Sequence, residues 1–423
     1  MDPRSTTVGC SYRIGLPFLS SPTTLCGSPT ASYTPWGAAA TFHSYSSRSV
    51  SRPDRFLIDL AAGRSFGERV SDASVDSAIE HRMAGLLWTR ALEGEINISQ
   101  DVRGRLEHLD LQAWARARML ESALAQLFEA SRALGMRVAL IKGLATAVRW
   151  YDRPSERWSY DLDIVVHPGD LSGIDDLVAR VYPDHPLVGQ LGPMARGKHL
   201  QSVDLGVAGM PVDMHLDPLK LELVWSTRPA RYWDHITEVS LGDGLTSIAF
   251  DNDVSLLLHL MHLNKDHFRR LIGYADVVRG GAQPDLDWNV VIDLAGGEGV
   301  AEHVINTARA VEEDLQIDLS LPPLRRSWRS DVWARSWPRE SRLAGSSQNV
   351  HRHRLFLIPL TAKGRAISAV IGWWRRLWPP KLLLDYYYPG VRGIYPVKLL
   401  RARINRRHRP TPAADGVVPK SPR

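Results

Sequence analysis

The stretch DLDIVV, residues 161–166, constrains this chain more than any other short segment in it. Side chains on a β-strand alternate between two faces, so Asp161 and Asp163 point one way while Leu162, Ile164 and Val166 point the other, toward a core. Pro168 and Gly169 end the strand. Two carboxylates held side by side raise one another's pKa unless a cation lies between them, and a divalent ion preferring hard oxygen ligands is the usual occupant.

The segments on either side supply what a lone carboxylate pair lacks. Residues 137–141, RVALI, read as a short strand that runs into Lys142-Gly143 and then a helix, with Leu144, Val148 and Tyr151 on one face. Gly143 lets the backbone approach a ligand closely, the helix N-terminus offers free N–H groups to anionic oxygens, and Lys142 adds a mobile point charge. Arg157, four residues before Asp161, is placed to clamp a further phosphate oxygen. Downstream, VDLGVAGMPVDMHLD (203–217) reads as a β-hairpin turning near Gly209, whose second arm carries Asp213 and His215. Asp204 and Asp217 compete with Asp213 for the role of third carboxylate, and its shared phase with His215 favours Asp213. Three carboxylates on adjacent strands can hold two divalent ions about 3.5–4 Å apart, an arrangement suited to in-line displacement at phosphorus.

The rest of the 423 residues divide by pattern. Residues 1–50 form a Ser/Thr/Gly/Pro-rich leader, expected to be disordered, that contains both cysteines, Cys10 and Cys26. With no other cysteine to pair, a disulfide framework is excluded and a reducing compartment fits. The start lacks the charged and apolar regions of a secretory signal, and no run of about 18 apolar residues occurs, so a cytoplasmic protein without a spanning helix is expected. Residues 51–135 read as helical, with Leu120, Leu124, Leu127, Phe128 and Leu134 at helical spacing and Gly135 as a stop. Residues 136–245 hold the catalytic core, 246–330 a second helical region, and 331–423 a basic, aromatic-rich tail. From His351 onward 16 Lys and Arg face only Asp385 and Asp415, which leaves 36 basic and 44 acidic groups in an acidic body. The tail, with Trp373, Trp374, Trp378 and Tyr386 to Tyr388 among its arginines, admits three readings: docking on the helical region, peripheral contact with an anionic membrane, or nucleic-acid binding by stacking and charge.

The order IKG, Tyr151, Arg157, DLDIVV, VDMHL and then HLMHLNKDHF with Asp276 in IGYADVV resembles a bacterial nucleotidyltransferase-like family of the polymerase β superfamily, whose signature runs LKG, R, DiDlLV, vDlH. The resemblance extends from about Arg55 to Asp276. It implies an α+β fold, a mixed β-sheet core flanked by N- and C-terminal helical regions, with metal ions held by Asp161 and Asp163 and a third carboxylate at Asp213. It also implies that Lys142-Gly143 replaces the Gly-Ser turn of better-studied members, and that Lys265 and Asp276 line the cleft from the helical side.

The expectation that follows is a Mg²⁺- or Mn²⁺-dependent enzyme that moves a nucleotidyl group from a nucleoside triphosphate to an acceptor the sequence does not name. Asp161, Asp163 and Asp213 are the catalytic and metal-holding set; Lys142, Gly143 and Arg157 hold the triphosphate; His215, His262, Lys265 and Asp276 are secondary. The alternative is a non-catalytic nucleotide- or protein-binding platform with the same fold, recruited to membrane or nucleic acid by its tail. His259, His262 and Asp266 share a helical face, a spacing more often used for packing or hydrogen bonding than for a transition metal.

Overall fold

Six strands form one mixed sheet in the computed structural model, which describes residues 51–64, 70–219, 225–323 and 327–342 together with positions 367, 370, 371 and 374. The strands are β1 (Val138–Leu140), β2 (Leu162–Val166), β3 (Ser202–Val207), β4 (Met210–His215), β5 (Ile236–Ser240) and β6 (Thr246–Phe250). Their order is β3-β4-β2-β1-β6-β5, with β2 parallel to β4, β1 parallel to β6, and the other neighbours antiparallel. The hairpin β3–β4 turns through Ala208 and Gly209, both at positive φ (50° and 75°), the backbone that a two-residue type I′ turn requires. The sequence reading placed this hairpin but left out β5 and β6, which form one edge of the sheet.

Twelve α-helices of six residues or more surround the sheet among the described residues. Before it come α1 (Arg55–Ala61), α2 (Asp72–Glu80), α3 (Ala84–Leu92) and α4 (Gln100–Ala133); within it α5 (Gly143–Trp150), α6 (Ile174–Val181) and α7 (Leu191–Arg196); after it α8 (Asn252–Lys265), α9 (Leu271–Gly281), α10 (Trp288–Gly297), α11 (Ala301–Leu315) and α12 (Trp328–Ser336). Helix α4 is opened by Ser99, whose side chain accepts from the N–H of Val102, and is closed at Leu134 just before Gly135, at φ 67°. Leu120, Leu124 and Leu127 of α4 are buried as expected, whereas Leu134 is exposed.

The sheet is covered on both faces, so the period-2 pattern serves two cores at once. Leu162, Ile164 and Val166 pack with Leu124, Leu127 and Ile174 on the α4–α6 side. Val165, on the opposite face of β2, joins the larger core of α1–α3 and α8–α11. Asp163 shares that second face with Val165, so the carboxylates look toward the helical layer. In α8 the residues from Val254 to Leu258, Leu260, Met261 and Leu263 are all buried, which accounts for its lack of a polar face. Arg342 donates to both oxygens of Asp314 (2.7 and 2.8 Å), which also accepts from the Tyr274 hydroxyl (2.9 Å), and this buried set fastens the segment after α12 to α9 and α11.

The leader falls outside the described residues, and so does the tail except at Ile367, Val370, Ile371 and Trp374. Those four are helical, spaced i, i+3, i+4 and i+7, and exposed. Among the described residues no helix is long and apolar enough to cross a membrane.

Candidate active site

Parallel pairing of β2 with β4 sets Asp163 opposite Asp213 and Val165 opposite His215. Residues opposed in a sheet share a face. Asp163, Asp213 and His215 therefore stand together, and Asp161 enters the same face two residues earlier, at the mouth of β2. His215 is wholly buried, with Nε2 3.0 Å from Oδ1 of Asp163 and 3.2 Å from Oδ2 of Asp213. An imidazole nitrogen between two carboxylate oxygens is best occupied as the N–H tautomer, donating to both. Its other nitrogen, Nδ1, is buried without a hydrogen-bond partner among the described residues.

Lys142 closes the opposite side, its Nζ 3.6 Å from the same Oδ1 of Asp163. Burial pushes Asp163 up, but Lys142 and the His215 hydrogen bond outweigh it and hold the carboxyl down at about 2. Asp161 goes the other way, raised to about 6 by burial and by the neighbouring Asp163 and Asp213. One carboxylate is thus compensated by Lys142 and the His215 hydrogen bond while its neighbour is pushed up. Ligand atoms of Asp163, Asp213 and His215 lie within 4.8 Å of one another; with the His215 N–H given to the carboxylates, it is the carboxylate oxygens that could share a cation. Carboxylate oxygens predominate in the donor set, and a divalent ion would relieve the repulsion that raises Asp161, so these residues fit a hard cation.

The Lys142-Gly143 side of the site is built on an unusual turn. Lys142, at φ 48° and ψ −143°, occupies a backbone region that a side chain disfavours, and it serves as N-cap of α5 without a side-chain capping bond. The N–H groups at the start of α5 therefore receive no side-chain cap. Gly143 is required for packing: a Cβ there would collide with Oγ of Ser159. That hydroxyl donates to the carbonyl of Asp161 (2.8 Å) and so fixes the entry to β2 against the α5 turn.

Other expected residues stand elsewhere. Arg157 does not reach into the site as a free clamp; its guanidinium makes three bonds of 3.0–3.1 Å to Asp276 and one of 3.2 Å to the carbonyl of Trp158. Asp276 is 1% exposed and accepts from the Tyr151 hydroxyl as well (2.7 Å), so it is a buried anchor rather than part of a cleft wall. His259 and His262 separate. His259 is buried, bonded through Nε2 to Thr146 (2.6 Å) and 3.4 Å from Asp276, while His262 pairs with Asp266 (3.2 Å). Thr146 lies in the first turn of α5, so the network ties the Lys142-Gly143 turn to α8 and α9. Lys265 ends α8. Of the competing carboxylates, Asp217 is buried in its own turn, accepting from Leu219 and Ser226, whereas exposed Asp204 lies directly across β3–β4 from Asp213. A second group, His235, Asp251 and Asp253, has ligand atoms near one another, yet Asp251 caps α8 and Asp253 accepts from the N–H of Asp287.

Sequence reasoning missed the arginines around Tyr160. Arg82 stacks 4.3 Å above its ring, and Arg116 lies 5.6 Å from it while donating to the Tyr160 carbonyl. They come from the α2–α3 connection and from the middle of α4, and no local spacing connects them to DLDIVV.

A family model described as an uncharacterised nucleotidyltransferase matches residues 69–315, more than half of the chain, from just before α2 to the end of α11. No curated protein and no solved structure matches.

Proposed function

The chain belongs to the family of uncharacterised nucleotidyltransferases, and from that premise we propose that it is a metal-dependent enzyme transferring a nucleotidyl group from a nucleoside triphosphate to an acceptor hydroxyl or phosphate. The observation that carries the reading is the pairing of Asp163 with Asp213 across β2 and β4, with Asp161 two residues away and raised to about 6 by burial and by the charges beside it. A surface strand with solvated carboxylates would show no such concentration.

In this reading Asp161 and Asp163 hold one Mg²⁺ or Mn²⁺, and Asp213 holds a second. Bound there, the ions would supply charge neutralisation at the α-phosphate and activation of the attacking oxygen. Lys142 and the free N–H groups at the start of α5 bind the triphosphate, positioning its α-phosphorus at the carboxylates. Asp213 takes the proton from the acceptor oxygen as that oxygen bonds to the α-phosphorus and the bond to the bridging oxygen breaks, releasing pyrophosphate. His215 is a positioning residue, donating to Asp163 and Asp213 and holding both carboxylates in one orientation. Arg157, bound by Asp276, braces the approach to β2 from behind.

Calorimetric titration of each nucleoside triphosphate, with and without Mg²⁺, tests the reading on the full chain and on Asp161→Ala and Asp163→Ala. Binding that needs both the ion and the carboxylates is expected. Equal binding by the variants, or none by the folded wild-type protein, would overturn it.

A further inference from the structure

Three arginines gather around Tyr160 from parts of the chain far apart in sequence: Arg82 between α2 and α3, Arg116 on α4, and Arg270 at the N-cap of α9. Tyr160, the residue before Asp161, is their common support, with Arg82 stacked over its ring and Arg116 donating to its carbonyl. Arg270 is brought to Arg82 by backbone contacts: the carbonyl of His81 accepts from Ile272 N–H (3.3 Å), and Nδ1 of His81 accepts from Leu271 N–H (3.3 Å).

This assembly is costly in the free protein. Burial and Arg270 pull the Arg82 guanidinium down to about 10 against the opposing pull of Tyr160 and Asp161, and burial with Arg269 lowers Arg270 in turn against that of Asp266. Nε of Arg270 is buried and has no hydrogen-bond acceptor among the described residues. Arg82 itself sits at φ 61°, a left-handed backbone unfavourable for a side chain. Two other buried guanidinium groups are each matched directly by a carboxylate, Arg157 by Asp276 and Arg342 by Asp314. Strained backbone, like charges and an unsatisfied donor persist together where a ligand resolves them, and a guanidinium fork matches the oxygens of a phosphoryl group.

We propose that Arg82, Arg116 and Arg270 form a phosphoryl-binding subsite beside Asp161, which receives a phosphate group of the substrate. The assignment of that phosphate to a substrate rests on the nucleotidyltransferase reading; the anion site does not. Two sources share this chemistry, the terminal phosphates of the nucleoside triphosphate and a phosphate carried by the acceptor.

The test is titration of the full chain with inorganic pyrophosphate in the presence of a chelator, so that neither metal nor nucleotide contributes. Arg82→Gln and Arg270→Gln should each weaken binding at least tenfold, while Asp161→Asn should not weaken it. Each arginine substitution trades relief of like-charge repulsion against lost attraction to Asp161 or Asp266, so the melting temperature should change little; were one to unfold the protein, Arg270→Lys, which keeps the charge and loses the fork, should still show weakened binding. No pyrophosphate binding by the wild-type protein, or equal binding by the arginine variants, overturns the subsite. A Mg²⁺ complex of an α,β-non-hydrolysable nucleoside triphosphate separates the sources. If Arg270→Gln weakens its binding, the phosphates are the nucleotide's; if it does not, inorganic phosphate should bind the analogue-saturated wild-type protein and not the variant. Arginine-dependent pyrophosphate binding without any triphosphate binding would leave the subsite standing and sink the nucleotidyltransferase reading.

Discussion

A Cβ placed on Gly143 would run into Oγ of Ser159, the hydroxyl that holds the Asp161 carbonyl. The turn before α5 and the entry to β2 are therefore built against each other at these two residues, so the proposed triphosphate side and the carboxylate side of the site share one contact. Gly143→Ala should cost about 1–3 kcal/mol, the usual penalty of overpacking, and should displace Asp161 as well. Ser159→Ala alone loses a hydrogen bond worth about 1 kcal/mol. The double variant removes the clashing oxygen and leaves only a 3.4 Å approach to the Ser159 Cβ, so it should be more stable than Gly143→Ala alone. A double-mutant cycle by urea unfolding checks this, and strictly additive effects would show that the two residues do not meet.

Lys142 carries both a charge and a strained backbone. Replacement by glycine removes the strain at φ 48° and the ammonium group 3.6 Å from Asp163 in one step. Lys142→Gly trades relief of about 1 kcal/mol of backbone strain against the lost attraction to Asp163, so it should melt above Lys142→Ala, while triphosphate affinity falls about tenfold or more. Lys142→Ala keeps the strain and loses the charge, so it should bind as weakly and melt lower. Full triphosphate affinity in the glycine variant would exclude Lys142 from binding.

Much of the site was legible because strand periodicity alone fixes which side chains share a face. The phase of DLDIVV put Asp161 and Asp163 opposite Leu162, Ile164 and Val166, and the phase of VDMHL put Asp213 with His215, as the sheet now shows. Register between distant strands is not written locally, so the pairing of Asp163 with Asp213 rather than with Asp204 had to come from the fold. Strands β5 and β6 escaped notice because ITEVS at the sheet edge buries only Val239 and shows little apolar alternation. Arg157 misled for a different reason: four residues before Asp161 it suggested a phosphate clamp, but its partner, Asp276, lies on α9 and no spacing announces it. Arg82, Arg116 and Arg270 were hidden among 44 arginines, a background against which no single one stands out.

Proton release should accompany metal binding. Asp161, raised to about 6, holds a proton through the range just below that pH, and a cation must displace it. Mg²⁺ or Mn²⁺ affinity should be nearly flat above pH 7 and should fall up to tenfold per unit below about pH 6. Asp213→Asn, which removes one of the two neighbouring charges, should move the turning point to lower pH while weakening binding outright. Titration calorimetry in buffers of different ionisation enthalpy measures both the affinity and the protons released; a constant affinity from pH 5 to 7.5 would contradict the raised carboxyl.

His259 makes the latch between α5 and the helical layer sensitive to acid. Burial is the largest influence on it, lowering it to about 4 despite the pull of Asp276 in the other direction, with Arg157, His262 and Lys142 opposing its charge. The unfolded chain would take up this proton near the ordinary value of about 6.5, so between pH 6.5 and 4 the unfolded state binds more protons than the folded one. The stabilisation that this neutral imidazole represents is complete above about pH 6.5 and is lost progressively as pH falls to about 4, a change of at most about 3 kcal/mol at 1.36 kcal/mol per unit. Asp161 acts oppositely in the metal-free protein, since a raised carboxyl favours the folded state as pH falls below 6, so the two effects must be separated by substitution. His259→Gln keeps a group able to bond Thr146 and removes the titration. Its melting temperature should decline less than that of the wild-type protein between pH 7 and 5, and identical slopes would mean that the acid sensitivity arises elsewhere.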